Sequence, residues 1–321
     1  MKNIKIACLW THDVRSSVFL KLLTKLSKRN LEIVSIENAD ILFIGPYDPM
    51  SIKRKSLNFI KKKFPNIDNL FPNIDLYSLK KKSSIKIFYS AENQSSNPHI
   101  ECDYYISPHL GIENQNHLRF PIWKDYVDWS TEQIFRKNNE LNAIRFGSFY
   151  RIEDLMKPMG SEFLKKEKKV CFFTSHLTQP RKSMYEQFST FLDVDGFGPY
   201  FDKKIKNHNL SKFKKNEVMK NYAFSLCPHN ALYPGYYDEK IPDAFLSNCL
   251  PISWADQNIK YDFNPNSFVN LSDYMENNYA DICELLKDST FLKKFTKEPL
   301  IKNKPNLEKE IDFAEKILKN I

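Results

Sequence analysis

The sequence predicts an α/β protein of two domains, and three observations carry that reading. Short apolar strands alternate with amphipathic helices, which argues for parallel sheets with helices on their faces. The alternation restarts after a charged connector at 165–169 (Lys-Lys-Glu-Lys-Lys), so a second α/β unit opens there. The length of 321 residues suits two domains, at roughly 150 residues each.

In chain order, Ile4–Trp10 reads as a buried strand and Ser16–Lys28 as an amphipathic helix carrying Phe19, Leu20, Leu23 and Leu26. Leu31–Ile36 and Ala39–Ile44 read as further strands. Residues 61–82 read as a surface insertion: Phe64-Pro65-Asn66-Ile67-Asp68 recurs as Phe71-Pro72-Asn73-Ile74-Asp75 between lysine runs, too short a duplication for a solenoid. Ile85–Tyr89 resumes the sheet, followed by strands at Asp103–Ile106 and Phe120–Trp123. The second unit then runs strand Val170–Thr174, helix Ser183–Phe191, strand Tyr222–Cys227, a helix over 239–247, strand Leu250–Trp254 and a helix near 276–287. Leu307–Ile321 has a helical apolar stripe, and its polar face is not mainly basic, so it is expected to pack back on the body. The domains expected are therefore 1–160, 161–300 and a C-terminal helix over 301–321.

Composition narrows the function classes. Lys+Arg number 48 against Asp+Glu 39, a net charge of +9. The lysines fall in short scattered runs rather than one stripe interleaved with aromatics, which argues against nucleic acid. A non-enzymatic basic binding protein for nucleic acid or anionic lipid stays as the alternative that the charge itself suggests. The N-terminus turns polar too soon for a signal peptide, and no window approaches the apolar length of a membrane span. A cytoplasmic location is expected, with a peripheral position at the inner face of the membrane as a variant. Cys8, Cys102, Cys171, Cys227, Cys249 and Cys283 form no C-x-x-C pair, so free thiols are expected. Only 7 glycines occur, and the Gly-rich phosphate loops are absent. A phosphate would have to be held by cations, helix ends and side-chain donors.

The segment that offers such groups is Tyr236-Tyr237-Asp238-Glu239-Lys240-Ile241-Pro242-Asp243-Ala244-Phe245. It sets an aromatic, carboxylates and an ammonium at the start of an apolar helix, where backbone N–H groups also favour an anion. Arg181 opens an earlier helix, where a cation is unfavourable for the dipole unless it serves an anionic partner. Glu92 follows a strand at its carboxyl end, where open α/β sheets bind ligands; Glu92-Asn93 and Ser175-His176 are expected to line a cleft. Partial burial would suit Glu92 to act as a general base. Asp193-Val194-Asp195-Gly196 has the form of a D-x-D metal motif, but reads as turn chemistry. His176 and His229 have no paired spacing for a metal.

Residues 170–270 resemble the bacterial α-1,3-fucosyltransferases of glycosyltransferase family 10. The residues that carry this are Tyr236-x-x-Glu239-Lys240-Ile241-x-Asp243-Ala244-Phe245, Pro251-Ile252-x-Trp254 and Asp262-Phe263-Asn264-Pro265-Asn266-Ser267-Phe268-Val269-Asn270. A looser match runs through Ile6–Trp10, Ala91-Glu92-Asn93, Asp103–Ile106 and Arg119–Ile122. The resemblance implies a GT-B architecture, two Rossmann-like domains facing a cleft, with the acceptor on the N-terminal and the donor on the C-terminal domain. It implies inverting transfer of L-fucose from GDP-fucose, without a metal or other cofactor, to the 3- or 4-hydroxyl of a GlcNAc-containing surface glycan. That acceptor would be an oligosaccharide or a lipid-linked glycan. Arg181 and Lys240 fall on the positions that hold the pyrophosphate, Glu239 on the ribose contact, Tyr236 and Asn230 on other donor contacts, and Glu92 on the base. Three departures stand out: Pro228-His229-Asn230-Ala231 where the family reads Phe-Glu-Asn-Ser, Ala223 for a lysine, and Asp238 for a threonine. They raise another GDP-deoxysugar as an alternative donor.

Overall fold

The computed structural model describes residues 2–11, 17–46, 84–97, 99–135, 149–201, 215–274 and 279–321. The insertion expected at 61–82 lies outside them. The chain divides into two compact units, Met1–Phe120 with Leu307–Ile321, and Pro121–Asn306.

The first unit is a 6-stranded sheet in the order β2-β1-β3-β4-β5-β6, made of β1 (Ile4–Leu9), β2 (Leu31–Ile33), β3 (Ile41–Ile44), β4 (Ile85–Tyr89), β5 (Tyr104–Ser107) and β6 (His117–Arg119). Every pairing is parallel. All four residues of β3 are buried, the pattern of a strand covered on both faces. Helix α1 (Val18–Ser27) begins where Ser17 Oγ accepts the amide of Leu20 at 3.2 Å, satisfying one of the orphan donors of the first turn. Its Phe19 meets Phe313 of the C-terminal helix Glu308–Leu318 at 6.2 Å between ring centroids, and Phe313 also meets Tyr104 at 5.6 Å.

The strand read at Phe120–Trp123 is not one. The ladder ends with the amide of Phe120 donating to Ser107 O, and Pro121 then has no N–H to continue it. A 3₁₀ turn follows over Ile122–Tyr126, and the edge strand is β6 instead.

The second unit is a 5-stranded parallel sheet in the order β11-β10-β9-β7-β8. Its strands are β7 (Val170–Phe173), β8 (Val194–Phe197), β9 (Phe224–Pro228), β10 (Leu250–Trp254) and β11 (Val269–Asn270). The helices that matter below are α2 (Ile152–Leu155), α3 (Arg181–Phe191), α4 (Lys215–Met219) and α5 (Lys240–Leu246). Val194-Asp195-Gly196, expected from the sequence to be a turn, lies instead in strand β8, paired with β7, and Asp193 just precedes it. A Cβ on Gly196 would lie 2.4 Å from the Phe201 ring, so the residue type is set by close packing.

The first unit ends at Phe120, upstream of the division drawn from sequence at 160. The described residues of the intervening segment, 121–135 and 149–160, are bound into the second unit. Trp123 packs on Phe263 at 5.5 Å, Tyr150 bonds to Asp243, and the amide of Ile301 donates to Leu155 O at 3.0 Å. Such long-range contacts are invisible to a boundary judged from local composition.

Candidate nucleotide-sugar site

In the second unit the chain leaves β7 to form β8 on one side of it, then returns to form β9 on the other. The carboxyl ends of β7 and β9 therefore flank a topological switch point, where crossovers diverge and leave a crevice. Arg181 stands on the β7 side, as the first residue of α3, with its guanidinium donating to Thr174 Oγ1 at 3.3 Å and Thr178 Oγ1 at 3.5 Å. Asn230, Tyr236, Glu239 and Lys240 stand on the β9 side.

The turn that brings them there is local chemistry. Tyr233-Pro234-Gly235-Tyr236 closes with the amide of Tyr236 donating to Tyr233 O at 3.1 Å, and Gly235 has φ +92°. Proline at the second position and a positive-φ glycine at the third are the requirements of a type II turn. Beyond it, Asn230 Nδ2 donates to Tyr236 Oη at 3.2 Å, fixing a ring that is almost wholly buried. Tyr237 donates its hydroxyl to Asp256 Oδ2 at 2.9 Å.

The charges that follow are interlocked. Asp238 Oδ1 accepts the amide of Lys240 at 3.1 Å, and its Oδ2 pairs with the Lys240 ammonium. The ring Nδ1 of His229 lies 3.5 Å from the same Oδ2. Burial opposes the charge on Asp238, but Lys240 and then His229 hold its carboxyl well below the usual range. Burial likewise works against the Lys240 ammonium, and Asp238 and Glu239 overcome it and raise its pKa. Glu239 shifts upward, through burial and then the charge of Asp238, against the pull of Lys240 and Lys215.

One turn on, Asp243 is 1% exposed and takes the Lys215 ammonium at 2.6 Å. Tyr150 donates its hydroxyl to the other Asp243 oxygen and lies 3.2 Å from Glu239 O. The sequence pointed to neither Lys215 nor Tyr150 as part of the site. Asp243 did offer a signal: a carboxylate among Ile241, Ala244 and Phe245, on the buried face of a short helix, requires a cation from elsewhere. The D-x-D segment is otherwise engaged, Asp193 by Lys169 at 3.2 Å and Asp195 by the Tyr222 hydroxyl at 2.7 Å. Among the described residues, no group of three or more His, Cys, Asp or Glu side chains is arranged to hold a metal ion.

Glu92 belongs to the first unit. It is half-buried in the loop after β4, where its amide donates to Ser90 Oγ at 3.0 Å and its carbonyl accepts from Gln94 N at 2.7 Å. Asn97 of the same loop donates to Gly45 O at 3.2 Å, drawing the loop over the carboxyl end of β3. A Cβ on Gly45 would fall 2.1 Å from Trp10 O, so this crossing admits no side chain. The neighbouring Asn93 Oδ1 is 3.1 Å from His109 Nε2. His109 lines a cavity of about 530 Å³ with His117, Arg119, Lys309, Asp312 and Phe313 among its walls. Burial pushes both imidazoles down to about 4, helped for His117 by His109 and Arg119, so at neutral pH they offer uncharged hydrogen-bonding nitrogens.

Two parallel α/β units, the second with its charged side chains gathered at the switch point, define the GT-B class of fold. Within that class, residues 163–297 match the model described as glycosyltransferase family 10 (fucosyltransferase) C-term. The α-(1,3)-fucosyltransferase FucT of Helicobacter pylori is 28% identical over 220 residues, which are 63% of this chain and 43% of that protein. A fucosyltransferase 9 of Homo sapiens is 24% identical over 135 residues, 41% of this chain and 36% of the relative. The matched region thus spans less than half the length of each of these relatives. Crystal structures of an α1,3-fucosyltransferase, alone and with GDP-fucose, superpose with TM-score 0.65 at 24% and 23% identity, covering 99% of this chain and 90% of theirs. At that identity they establish the fold. Among the described residues, no helix is long and apolar enough to cross a membrane.

Proposed function

We propose that the protein transfers L-fucose from GDP-fucose, with inversion, to the 3- or 4-hydroxyl of a GlcNAc-containing glycan. The observation that carries the reading is the placement of Arg181 and Lys240 at the starts of the helices that follow the neighbouring strands β7 and β9 at one switch point, in the unit that matches the family model. The relatives named above as fucosyltransferases, and the solved neighbour with GDP-fucose, support the choice of donor.

In this proposal the diphosphate lies at the β7/β9 edge, with Arg181 and Lys240 as its cations, Glu239 toward the ribose, and Tyr236 and Asn230 shaping the remaining contacts. Inverting transfer breaks the anomeric C–O bond to GDP while the acceptor hydroxyl attacks from the opposite face, so negative charge grows on the leaving diphosphate. Fixed cations stabilise that charge most where water is excluded, and no metal is needed to do it. Glu92 takes the proton of the attacking hydroxyl. The acceptor is an oligosaccharide or lipid-linked glycan met in the cytoplasm or at the inner face of the membrane. A second reading, another GDP-deoxysugar as donor, draws on the carboxylate of Asp238 and the imidazole of His229 at the donor site.

The experiment is a glycan-acceptor screen with GDP-fucose and a GDP-release readout, run beside other GDP-deoxysugars. Release dependent on a GlcNAc-containing acceptor supports the first reading. Faster release from another donor selects the second, and indifference to every GDP-sugar rejects both.

A further inference from the structure

The pair Asp238–Lys240 poses a problem for any diphosphate ligand. Lys240 already has a counter-ion, and Asp238 grips it twice, through its amide and its ammonium. The second ammonium of the cluster, on Lys215, is committed to Asp243 at 2.6 Å. A diphosphate that draws the Lys240 ammonium toward itself therefore weakens the compensation of Asp238. Asp238 is 5% exposed, and a buried carboxylate that loses part of its counter-charge is unfavourable.

His229 is placed to answer this. It is 1% exposed, at the end of β9, with its ring 6.2 Å from that of Tyr236 and 5.9 Å from that of Tyr237. Among the described residues neither ring nitrogen has a close hydrogen-bond partner, and Nδ1 lies 3.5 Å from Asp238 Oδ2. A buried imidazole so weakly partnered is costly as it stands, and Asp238 is the acceptor beside it.

We propose that Asp238 and His229 are positioning residues that exchange counter-ions with the donor: when the diphosphate takes Lys240, the Asp238–His229 pair takes up one proton from solvent and closes into a neutral imidazolium–carboxylate pair. This rests on the reading of the site as one for a GDP-linked donor. The exchange holds Lys240 in place while the site is empty and keeps Asp238 compensated while it is full. Glu239 and the Cys227 thiol both feel the charge of Asp238, and Lys215 and Asp243 act in turn on Glu239. The thiol is pushed up to about 12, mainly by burial, and Lys215 is held protonated by Asp243, so neither exchanges a proton near neutrality. Glu239, whose shift is upward, is the rival holder of the proton.

The test is calorimetric titration of the full chain with GDP near pH 7.5, in buffers of different ionisation enthalpy. The wild type is expected to take up close to about one proton per GDP bound, so its affinity falls as pH rises, toward roughly tenfold per unit. Asp238→Asn removes the competing anion: it is expected to bind GDP roughly threefold to tenfold more tightly and to lose the uptake. His229→Gln leaves Asp238 uncompensated in the complex and is expected to weaken binding by roughly tenfold. If both residues were merely structural, both variants would weaken binding. The ring ¹⁵N signals of His229, assigned with the His229→Gln variant, are expected to move to imidazolium values on adding GDP. GDP binding without proton uptake in the wild type overturns the exchange. Uptake that leaves the His229 signals unmoved overturns its role in favour of Glu239. Absence of any GDP binding overturns the donor reading and the exchange with it.

Discussion

The two sheets of this protein are built by the same parallel rule and differ in what they place at their carboxyl edges. The second unit gathers Asp238, Glu239, Lys240, Asp243 and Lys215 within one loop and the helices beside it, with the buried Asp238 and Asp243 paired to the partly exposed Lys240 and Lys215. The first unit sets beside Glu92 a cavity with two imidazoles that burial keeps neutral. A site that stores charge in pairs suits a ligand that is itself charged and can exchange partners. An edge with two neutral imidazoles, flanked by Arg119, Lys309 and Asp312 and near the half-buried Glu92, offers hydrogen bonds suited to hydroxyl groups.

Four experiments test that contrast. The largest effect is expected from Glu92→Gln in the first unit, which should lower kcat by roughly 10²–10⁴ in a fucosyl-transfer assay. GDP affinity, measured by calorimetry, should stay unchanged; a normal kcat would remove Glu92 from its role as base. In the second unit, Lys215→Met leaves Asp243 buried without its cation, an expected loss of about 3–5 kcal/mol in urea unfolding. An unchanged midpoint would mean that the Tyr150 hydroxyl alone sustains Asp243. Lys240→Ala should lower kcat by roughly 10²–10³, or about 3–4 kcal/mol in the barrier, with the fold intact by circular dichroism.

The remaining test is of pH. His109 and His117 titrate near 4 in the folded protein against an ordinary 6.5. The unfolded chain therefore binds protons below about 6.5 that the folded one refuses. Their contribution to stability is complete above that pH, declines as pH falls toward about 4, and changes no further below it. Urea midpoints across this window should fall with acidity, and His117→Asn should flatten part of the slope. A wild-type slope of zero would mean that the imidazoles are not kept neutral by burial.

Much of this was legible in the chain itself. Runs such as Ile41–Ile44 and Leu250–Trp254 read as buried strands, and they are. The Tyr-x-x-Glu-Lys segment pointed to the loop where the charges gather. The strand mistaken at Phe120–Trp123 fails because an apolar run does not reveal whether its amides have a ladder to join, and Pro121 has none to give. Lys215 and Tyr150 were not legible because each is distant in sequence from Asp243, and nothing local marks a lysine or a tyrosine as another residue's partner.

What the sequence determined by itself was periodic and local: two α/β units, a Pro-Gly turn, and carboxylates and ammonium groups adjacent along one loop. Covalent neighbours and short-range sterics suffice for those. What only the tertiary structure decided was which charges meet. Tyr236-Tyr237-Asp238-Glu239-Lys240 reads as an open anion site, yet in the folded chain Asp238 occupies Lys240 and a buried His229 waits beside it. The reason is that a charge removed from water must find its partner in three dimensions, and burial sets which partners are within reach.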